Sequence, residues 1–253
     1  DIFIIAVPTP IEIQVDKKYP SPNIKYVLEA VESIVKVYCP GNLIIIESTS
    51  PIGISEIVLN LIKEKLNIKE EEINIAYCPE RVLPGQILNE LVNNDRVIGG
   101  LNEKSIFLAK QLFSSFCKAN LYSTNTRTAE LVKLTENAFR DVNLAFANEL
   151  SMFCKEVNVE VDELIELANR HPRVDILSPG CGVGGHCIPI DPWFIISQSP
   201  DKTRLLKAAR SVNKNKMNWT ANQIIEKTKS LEKKLGRDIT VGCFGITYKQ
   251  NVD

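Results

Sequence analysis

Three strand-length apolar runs, alternating with amphipathic helical stretches, constrain what this chain can fold into more than any other feature. The runs are Ile2-Phe-Ile-Ile-Ala-Val7, Leu43-Ile-Ile-Ile46 and Ile73-Asn-Ile-Ala-Tyr77, and the helical patterns lie near residues 24–37 and 53–66. A strand that is apolar along its length is buried on both faces, as happens when helices cover a parallel sheet from each side. The order β-α-β-α-β therefore predicts a parallel sheet with crossover helices, part of a doubly wound α/β unit. Ligands of such sheets bind beyond the carboxyl ends of the strands. Two of these ends are alike: Ala6-Val-Pro-Thr-Pro10 and Glu47-Ser-Thr-Ser-Pro51 each set hydroxyls just past the strand, at Thr9 and Thr49. Helix capping is the competing reading of these hydroxyls, because Ser50 before Pro51 also suits a helix start.

A long helical pattern runs from Thr126 to about Val157, with Leu134, Ala138, Val142 and Ala145 on one apolar face. Lys133, Asn137 and Arg140 follow one another at i, i+4 and i+7, so an amine, an amide and a guanidinium share a stripe beside that face. Such a stripe either lines a cleft or is a solvated helix surface. A second long helical pattern covers roughly 202–235 and leads to the strand-like Ile239-Thr-Val-Gly-Cys-Phe244, which predicts the start of a second sheet.

The densest chemistry lies in Pro179-Gly-Cys-Gly-Val-Gly-Gly-His-Cys-Ile-Pro-Ile-Asp-Pro-Trp193. Glycines here let backbone amides approach a ligand closely. Asp191 is a good N-cap and Pro192 a good first helical residue, so Cys187 is expected just ahead of a helix start whose partial positive charge favours a thiolate. The match of Gly180, Gly182 and Gly185 to G-x-G-x-x-G is a decoy, because Pro189 and Pro192 prevent the helix that a dinucleotide turn must enter directly. An inert buried cysteine is the bland alternative. Metal ligation by His171, Cys181, His186 and Cys187 matches no common zinc spacing, and no metal is expected.

With 44% hydrophobic residues in 253, the chain can bury one large or two modest cores. Its formal net charge of −1 supplies no overall basic field for nucleic acid. Seven cysteines without framework spacing point to a reducing, cytoplasmic setting. Apolar runs of strand length predict no membrane span.

Taken in order, Ala6–Pro10, Glu47-Ser-Thr49, Cys78-Pro-Glu-Arg-Val-Leu-Pro-Gly85, Glu130-Leu-Val-Lys-Leu-Thr-Glu-Asn137, His171-Pro-Arg173, the glycine-cysteine loop and Phe244-Gly-Ile-Thr-Tyr-Lys249 resemble the UDP-sugar 6-dehydrogenases of the UDP-glucose/GDP-mannose dehydrogenase family. The resemblance implies a cytoplasmic, NAD-dependent oxidation of a sugar C6 alcohol to a carboxylate in two hydride transfers, by way of a cysteine thiohemiacetal and thioester. Cys187 matches the nucleophile, Lys133 the acid/base and oxyanion-stabilising lysine, and Asn137 a substrate and oxyanion contact. Asp191 matches the loop aspartate that orders base and water, and Glu80 a carboxylate near the hydrolytic water. Thr9 and Thr49 match NAD contacts. Arg81, Val82, Lys133, Asn137, Arg140, His171, Arg173, Gly184, Tyr248 and Lys249 match the UDP-sugar site, with His171 and Arg173 reaching the site of a neighbouring subunit in a homodimer or larger homo-oligomer.

Pro84 and Ile190 stand where the UDP-glucose enzymes carry a second glutamate and a lysine, which directs the expectation to a UDP-N-acetylaminosugar of the N-acetylmannosamine branch. UDP-N-acetylglucosamine, UDP-N-acetylgalactosamine and UDP-glucose stay open as alternatives, as does an inactive interaction fragment. A cysteine hydrolase pairing Cys187 with His186 or His171 is weaker, because no orienting third group is evident. The resemblance divides the chain into 1–124, the C-terminal part of the NAD-binding domain; 125–212, a helical central and dimerisation domain; and 213–253, a linking helix and the start of the UDP-sugar domain. No G-x-G-x-x-G opens the first domain, whose doubly wound half would need about two more βα units before Asp1. The chain thus reads as truncated at both ends.

Overall fold

A computed structural model describes residues 1–13, 18–83 and 85–244. They divide into two compact units, the first made of Asp1–Glu136 and Ile190–Pro200, the second of Asn137–Pro189 and the residues from Asp201 on.

The first unit opens with β1 (Ile2–Ile5), a small antiparallel pair β2 (Ile11–Glu12) and β3 (Ser21–Pro22), and helix α1 (Lys25–Val35). There follow β4 (Leu43–Ile46), α2 (Ile54–Leu66), β5 (Asn74–Tyr77), α3 (Ile87–Asn93), β6 (Arg96–Gly100), α4 (Glu103–Phe113) and β7 (Leu121–Asn125). Helix α5 (Thr126–Val157) begins in this unit and continues into the second. The five long strands form one sheet in the order β1-β4-β5-β6-β7. β1, β4 and β5 are parallel, in register Ile5↔Ile46↔Tyr77. The last two strands reverse: β6 is antiparallel to β5, and β7 is parallel to β6. The parallel, doubly wound character read from the sequence thus belongs to the three apolar runs, and the reversed pair adds a third β-α-β connection, through α4.

Packing follows the alternation of side chains along each strand. Ile5, Ile44, Ile46, Ile75 and Tyr77 face Val27 and Val31 of α1, Ile54, Val58 and Ile62 of α2, and Ala129 of α5. Leu43, Ile45, Ala76, Cys78 and Ile98 face Ala109 and Phe113 of α4. Each fully buried isoleucine contributes roughly 2 kcal/mol over an exposed one. β1 departs from the doubly buried expectation. Among the described residues it lies at an edge of the sheet, ends at Ile5 rather than Val7, and leaves Ile2 and Ile4 44% and 49% exposed. Close approach between sheet and helix depends on Gly99 in β6, where an added Cβ would lie 2.6 Å from both the Asn125 carbonyl oxygen and the Ala129 Cβ.

In the second unit, the rest of α5 is followed by α6 (Val161–Ala168). After the irregular segment 169–189 the chain returns to the first unit as α7 (Pro192–Gln198), then crosses back as α8 (Arg204–Leu235). The two long helices coincide with the sequence expectation to within two residues. Glycine and asparagine end helices as their left-handed preference predicts: Gly236 closes α8 at φ 64°, and Asn67 closes α2 at φ 51°. The strand expected at Ile239–Phe244 is absent, for those residues find no ladder partner among the described residues, and Phe244 is 99% exposed. A strand without a neighbour leaves its amides and carbonyls unpaired, so β propensity alone does not form one. No helix of the described residues is long and apolar enough to cross a membrane.

Candidate active site

The carboxyl ends of β1, β4 and β5 are tied by hydroxyl groups rather than by further ladder bonds. Ser48 Oγ accepts from the Val7 amide at 2.7 Å and lies 3.3 Å from the Ile5 carbonyl. Buried Tyr77 donates its hydroxyl to the Ser48 carbonyl at 3.1 Å and accepts from the Ser50 amide at 3.2 Å. Thr9 Oγ1 donates to the Thr49 carbonyl, which brings the two expected cofactor threonines together. Neither caps a helix. The cap expected of Ser50 is also missing: its hydroxyl bonds the Ser48 carbonyl at 2.9 Å, and α2 starts later, at Ile54, after Gly53 at φ 94°.

Glu130, one turn before Lys133 on α5, takes over that cap. Its Oε2 accepts from the Gly53 amide at 2.6 Å, and its Oε1 accepts from the Ser55 amide at 3.0 Å and the Ser55 hydroxyl at 2.7 Å. The carboxyl is fully buried, and burial pushes its pKa up against the pull of these bonds. The amino end of α2, a natural seat for an anion, is therefore filled by the chain's own carboxyl group. The polar groups that remain at this edge are the hydroxyls and backbone around Thr9 and Thr49.

Glu80 and Arg81 follow β5. Glu80 is half-buried and accepts from the Val82 amide at 2.5 Å. Arg81 donates to Glu136 Oε1 at 2.5 Å and to the Asp95 carbonyl, and with Asn93, Asn94, Asp95 and Glu136 it lines an open cleft of about 490 Å3. Val82 and Lys133 are half-buried. Asp191 is buried in the same unit, but its side chain does not cap α7; its backbone is already helical, at φ −58°, rather than in the extended conformation usual for a cap residue. The aspartate-proline pair thus marks the helix start without making the expected bond.

In the second unit Asn137 is buried and Arg140 exposed, so the polar stripe on α5 runs from core edge to solvent. His171 and Arg173 share the exposed turn after α6, with the Arg173 amide 3.4 Å from His171 Nδ1. Cys187 is exposed, as is Gly184, and Gly185 at φ 89° takes a conformation that a side chain would resist. The inert, buried cysteine is therefore not what the fold presents. Buried cysteines lie elsewhere, at Cys78, Cys117 and Cys154. Tyr248 and Lys249 lie outside the described residues.

Side-chain amides hold the segment leading into this loop. Asn169 Oδ1 accepts from the Ile176 amide at 2.8 Å, Asn143 Oδ1 from the Leu177 amide at 3.2 Å, and Asn148 Oδ1 from the Gly180 amide at 3.0 Å. Asn148 Nδ2 then donates to Asn213 Oδ1 at 2.9 Å, Asn213 Nδ2 to Asp141 Oδ1 at 2.8 Å, and Arg210 Nη1 to the same Asp141 oxygen at 2.6 Å. Burial raises the Asp141 pKa, with Arg210 opposing. Farther along α8, Lys216 Nζ donates to Ser151 Oγ at 2.6 Å and sits over the Trp219 ring, and burial lowers its pKa.

Glu130, Asp141 and Asn148 were not among the residues expected to form the site. A signal was present: together with Leu134, Ala138 and Ala145 they fall on the buried stripe of α5 at helical spacing. A charge or amide on an apolar stripe must find a buried partner.

Residues 1–117 match the NAD binding domain, and residues 127–215 the central domain, of the UDP-glucose/GDP-mannose dehydrogenase family. The chain is 48% identical to UDP-N-acetyl-D-mannosamine dehydrogenase of Campylobacter jejuni, across all of this chain and 62% of the relative. It is 46% identical to NDP-N-acetyl-D-galactosaminuronic acid dehydrogenase of Ralstonia nicotianae, again along its full length and over 59% of that protein. Among solved structures, UDP-D-ManNAc dehydrogenase from Pyrococcus horikoshii superposes with a TM-score of 0.84 at 41% identity, covering 93% of this chain and 54% of the other. The chain thus spans about three fifths of the length of the curated relatives it matches.

Proposed function

We propose, since the chain belongs to the UDP-glucose/GDP-mannose dehydrogenase family, that it is part of an NAD-dependent dehydrogenase oxidising C6 of UDP-N-acetyl-D-mannosamine to the uronate. A likeness that runs through the whole chain, with every motif in order, carries this reading. Thr9 and Thr49 would hold NAD, which would supply the hydride acceptor, one NAD for each of the two oxidations.

The chain's own residues supply the rest. Lys133 takes the proton of the C6 hydroxyl as the alcohol becomes an aldehyde. The Cys187 thiolate adds to that aldehyde, and the resulting thiohemiacetal becomes a thioester when the second hydride leaves. A thiol suits this step because its thioester remains open to water. Lys133 and Asn137 steady the developing oxyanion. Glu80 and Asp191 order the water that releases the acid and restores the thiol. Arg81, Val82, Arg140, His171, Arg173, Gly184, Tyr248 and Lys249 bind the UDP-sugar, the cations meeting the diphosphate.

The similarity to a galactosaminuronic acid dehydrogenase favours UDP-N-acetylgalactosamine as the second reading of the substrate. A homodimer is the proposed assembly. Supporting it, Phe139, Phe146 and Phe153 recur at seven-residue spacing along α5, all exposed, and an open cleft of about 290 Å3 is lined by Phe146, Glu149, Leu150 and Phe153.

The test supplies NAD and each UDP-sugar in turn to the full-length protein and to this chain, following NADH and the acid product together. Two NADH per acid, with UDP-N-acetyl-D-mannosamine preferred and a dimer in sedimentation, is the expected result. Cys187→Ser should cut acid formation roughly a thousandfold or more. Acid formation by that variant at the normal rate would overturn the mechanism.

A further inference from the structure

The ladder between β4 and β5 stops at Ile46 and Tyr77, and α2 does not begin until Ile54. The segment between β4 and α2, which carries Thr49, is therefore placed by individual hydrogen bonds rather than by secondary structure. Its first contacts lie with β1, where the Glu47 and Ser48 amides donate to the Ile5 carbonyl at 3.0 and 3.2 Å. Its last lie with Glu130, which accepts from the Gly53 and Ser55 amides at 2.6 and 3.0 Å. Thr49, half-buried, falls between these two anchors.

One side-chain atom holds that interval. The Tyr77 hydroxyl donates to the Ser48 carbonyl at 3.1 Å and accepts from the Ser50 amide at 3.2 Å. The Ser48 carbonyl belongs to the peptide plane before Thr49, and the Ser50 amide to the plane after it. Because a peptide group is planar, fixing both planes fixes φ and ψ of the residue between them, and with these the direction in which its side chain leaves the backbone. Thr9 Oγ1 donates to the Thr49 carbonyl, which lies in the second plane, so the same grip also places Thr9. The Tyr77 ring is fully buried, in the cluster that holds Ile5, Ile46, Ile54 and Ala129. Burial raises the pKa of its hydroxyl, which keeps the proton that Ser48 receives. The donor set suits the cofactor: Thr9, having given its proton to a carbonyl, can only accept from a ligand, and NAD offers donors in its ribose hydroxyls and carboxamide.

We propose that Tyr77 is a positioning residue for the cofactor: its hydroxyl, by gripping the peptide planes on either side of Thr49, sets the Thr9–Thr49 pair in the orientation that receives NAD. This rests on the reading of Thr9 and Thr49 as NAD contacts. The ladder that ends at Ile46 and Tyr77 carries the fold, so loss of the hydroxyl is felt as misdirection of Thr49 rather than as unfolding.

Tyr77→Phe removes that one oxygen and leaves the ring that fills the core. In the full-length enzyme, titration calorimetry should show NAD bound about tenfold more weakly by the variant, with UDP-N-acetyl-D-mannosamine bound within about twofold of wild type, because only the cofactor contacts lose their pre-organisation. Hydrogen exchange read by mass spectrometry should quicken in the peptide spanning Ser48 to Gly53. Ile75→Val trims the same strand without touching the hydroxyl, and should loosen the core while leaving NAD affinity unchanged. A role in general stability would instead move both variants, and both ligands, together. NAD affinity within about twofold of wild type in Tyr77→Phe, an equal loss for both ligands, or unchanged exchange of that peptide overturns the proposal. Thr9→Val and Thr49→Val test the reading beneath it. If neither weakens NAD binding, the threonines are not cofactor contacts and the proposal falls with them; if either does while Tyr77→Phe does not, only the role of Tyr77 is lost.

Discussion

The carboxyl edge of the sheet and the loop at Gly180 are both irregular backbone rich in polar groups, yet they are held in place by different means. At the edge, positions descend from the strand ladders, and Ser48, Tyr77 and Thr9 tie one strand end to the next over short spans. The segment entering the loop has no ladder, and its amides hang on Asn169, Asn143 and Asn148, which project from or follow helices. A frame of many backbone bonds shares the effect of losing any one side chain, whereas a strap of single amides does not. Sites of the first kind should fail through packing, and sites of the second through the loss of one polar atom.

Three measurements bear on that contrast. The largest effect is expected for Gly99→Ala in the frame, where the new methyl meets the Asn125 carbonyl at 2.6 Å, a backbone atom that cannot rotate away. Overpacking of this kind should cost about 3 kcal/mol in chemical denaturation. A loss below about 0.5 kcal/mol would mean that the frame yields more readily than its ladders suggest.

Asn148→Ala should come next, at about 2 kcal/mol, since it strands the Gly180 amide and Asn213 Oδ1 without adding bulk. The loss should be greater than for Asn143→Ala, whose partners lie nearer solvent. Equal effects would break the idea that the strap hangs on its buried member.

The smallest effect is the pH dependence of Glu130→Gln, which weakens the cap on α2 by about 1 kcal/mol. The folded pKa of Glu130 is raised, so its proton-linked stabilisation is complete below the ordinary carboxylate pKa and declines as pH rises through the folded value. The deficit of the variant should therefore shrink from acid to neutral pH in thermal melts. A deficit that grows with pH would show that the hydrogen bonds outweigh burial at that carboxyl.

What was legible in the sequence follows the same division. Leu43-Ile-Ile-Ile46 and Ile73–Tyr77 announced a doubly buried sheet because period and composition are local, and α5 and α8 were recoverable for the same reason. The reversal at β6 was not, since Arg96-Val-Ile-Gly-Gly100 carries no mark of direction, which depends on a partner strand. Among candidate site residues, Cys187 stood out through its glycines. Glu130, by contrast, meets Ser55 across 75 positions of sequence, and Asn148 meets Asn213 across 65. No window along the chain holds both ends of such a bond. Asp191 shows the reverse error: its sequence signals a cap, and the fold buries it without using one.

The threading of the chain through its two units has a consequence for its synthesis. The first unit includes α7, which packs on β3 and whose Gln198 donates to the Ile52 carbonyl at 2.8 Å, yet all of Asn137–Pro189 is translated before α7 emerges. A nascent chain halted after α5 would hold all the strands described while still lacking α7, and must expose the surface that helix later covers. The two units therefore mature interleaved on the ribosome, and the latest strokes of the first are made only after the helical insert has been threaded through.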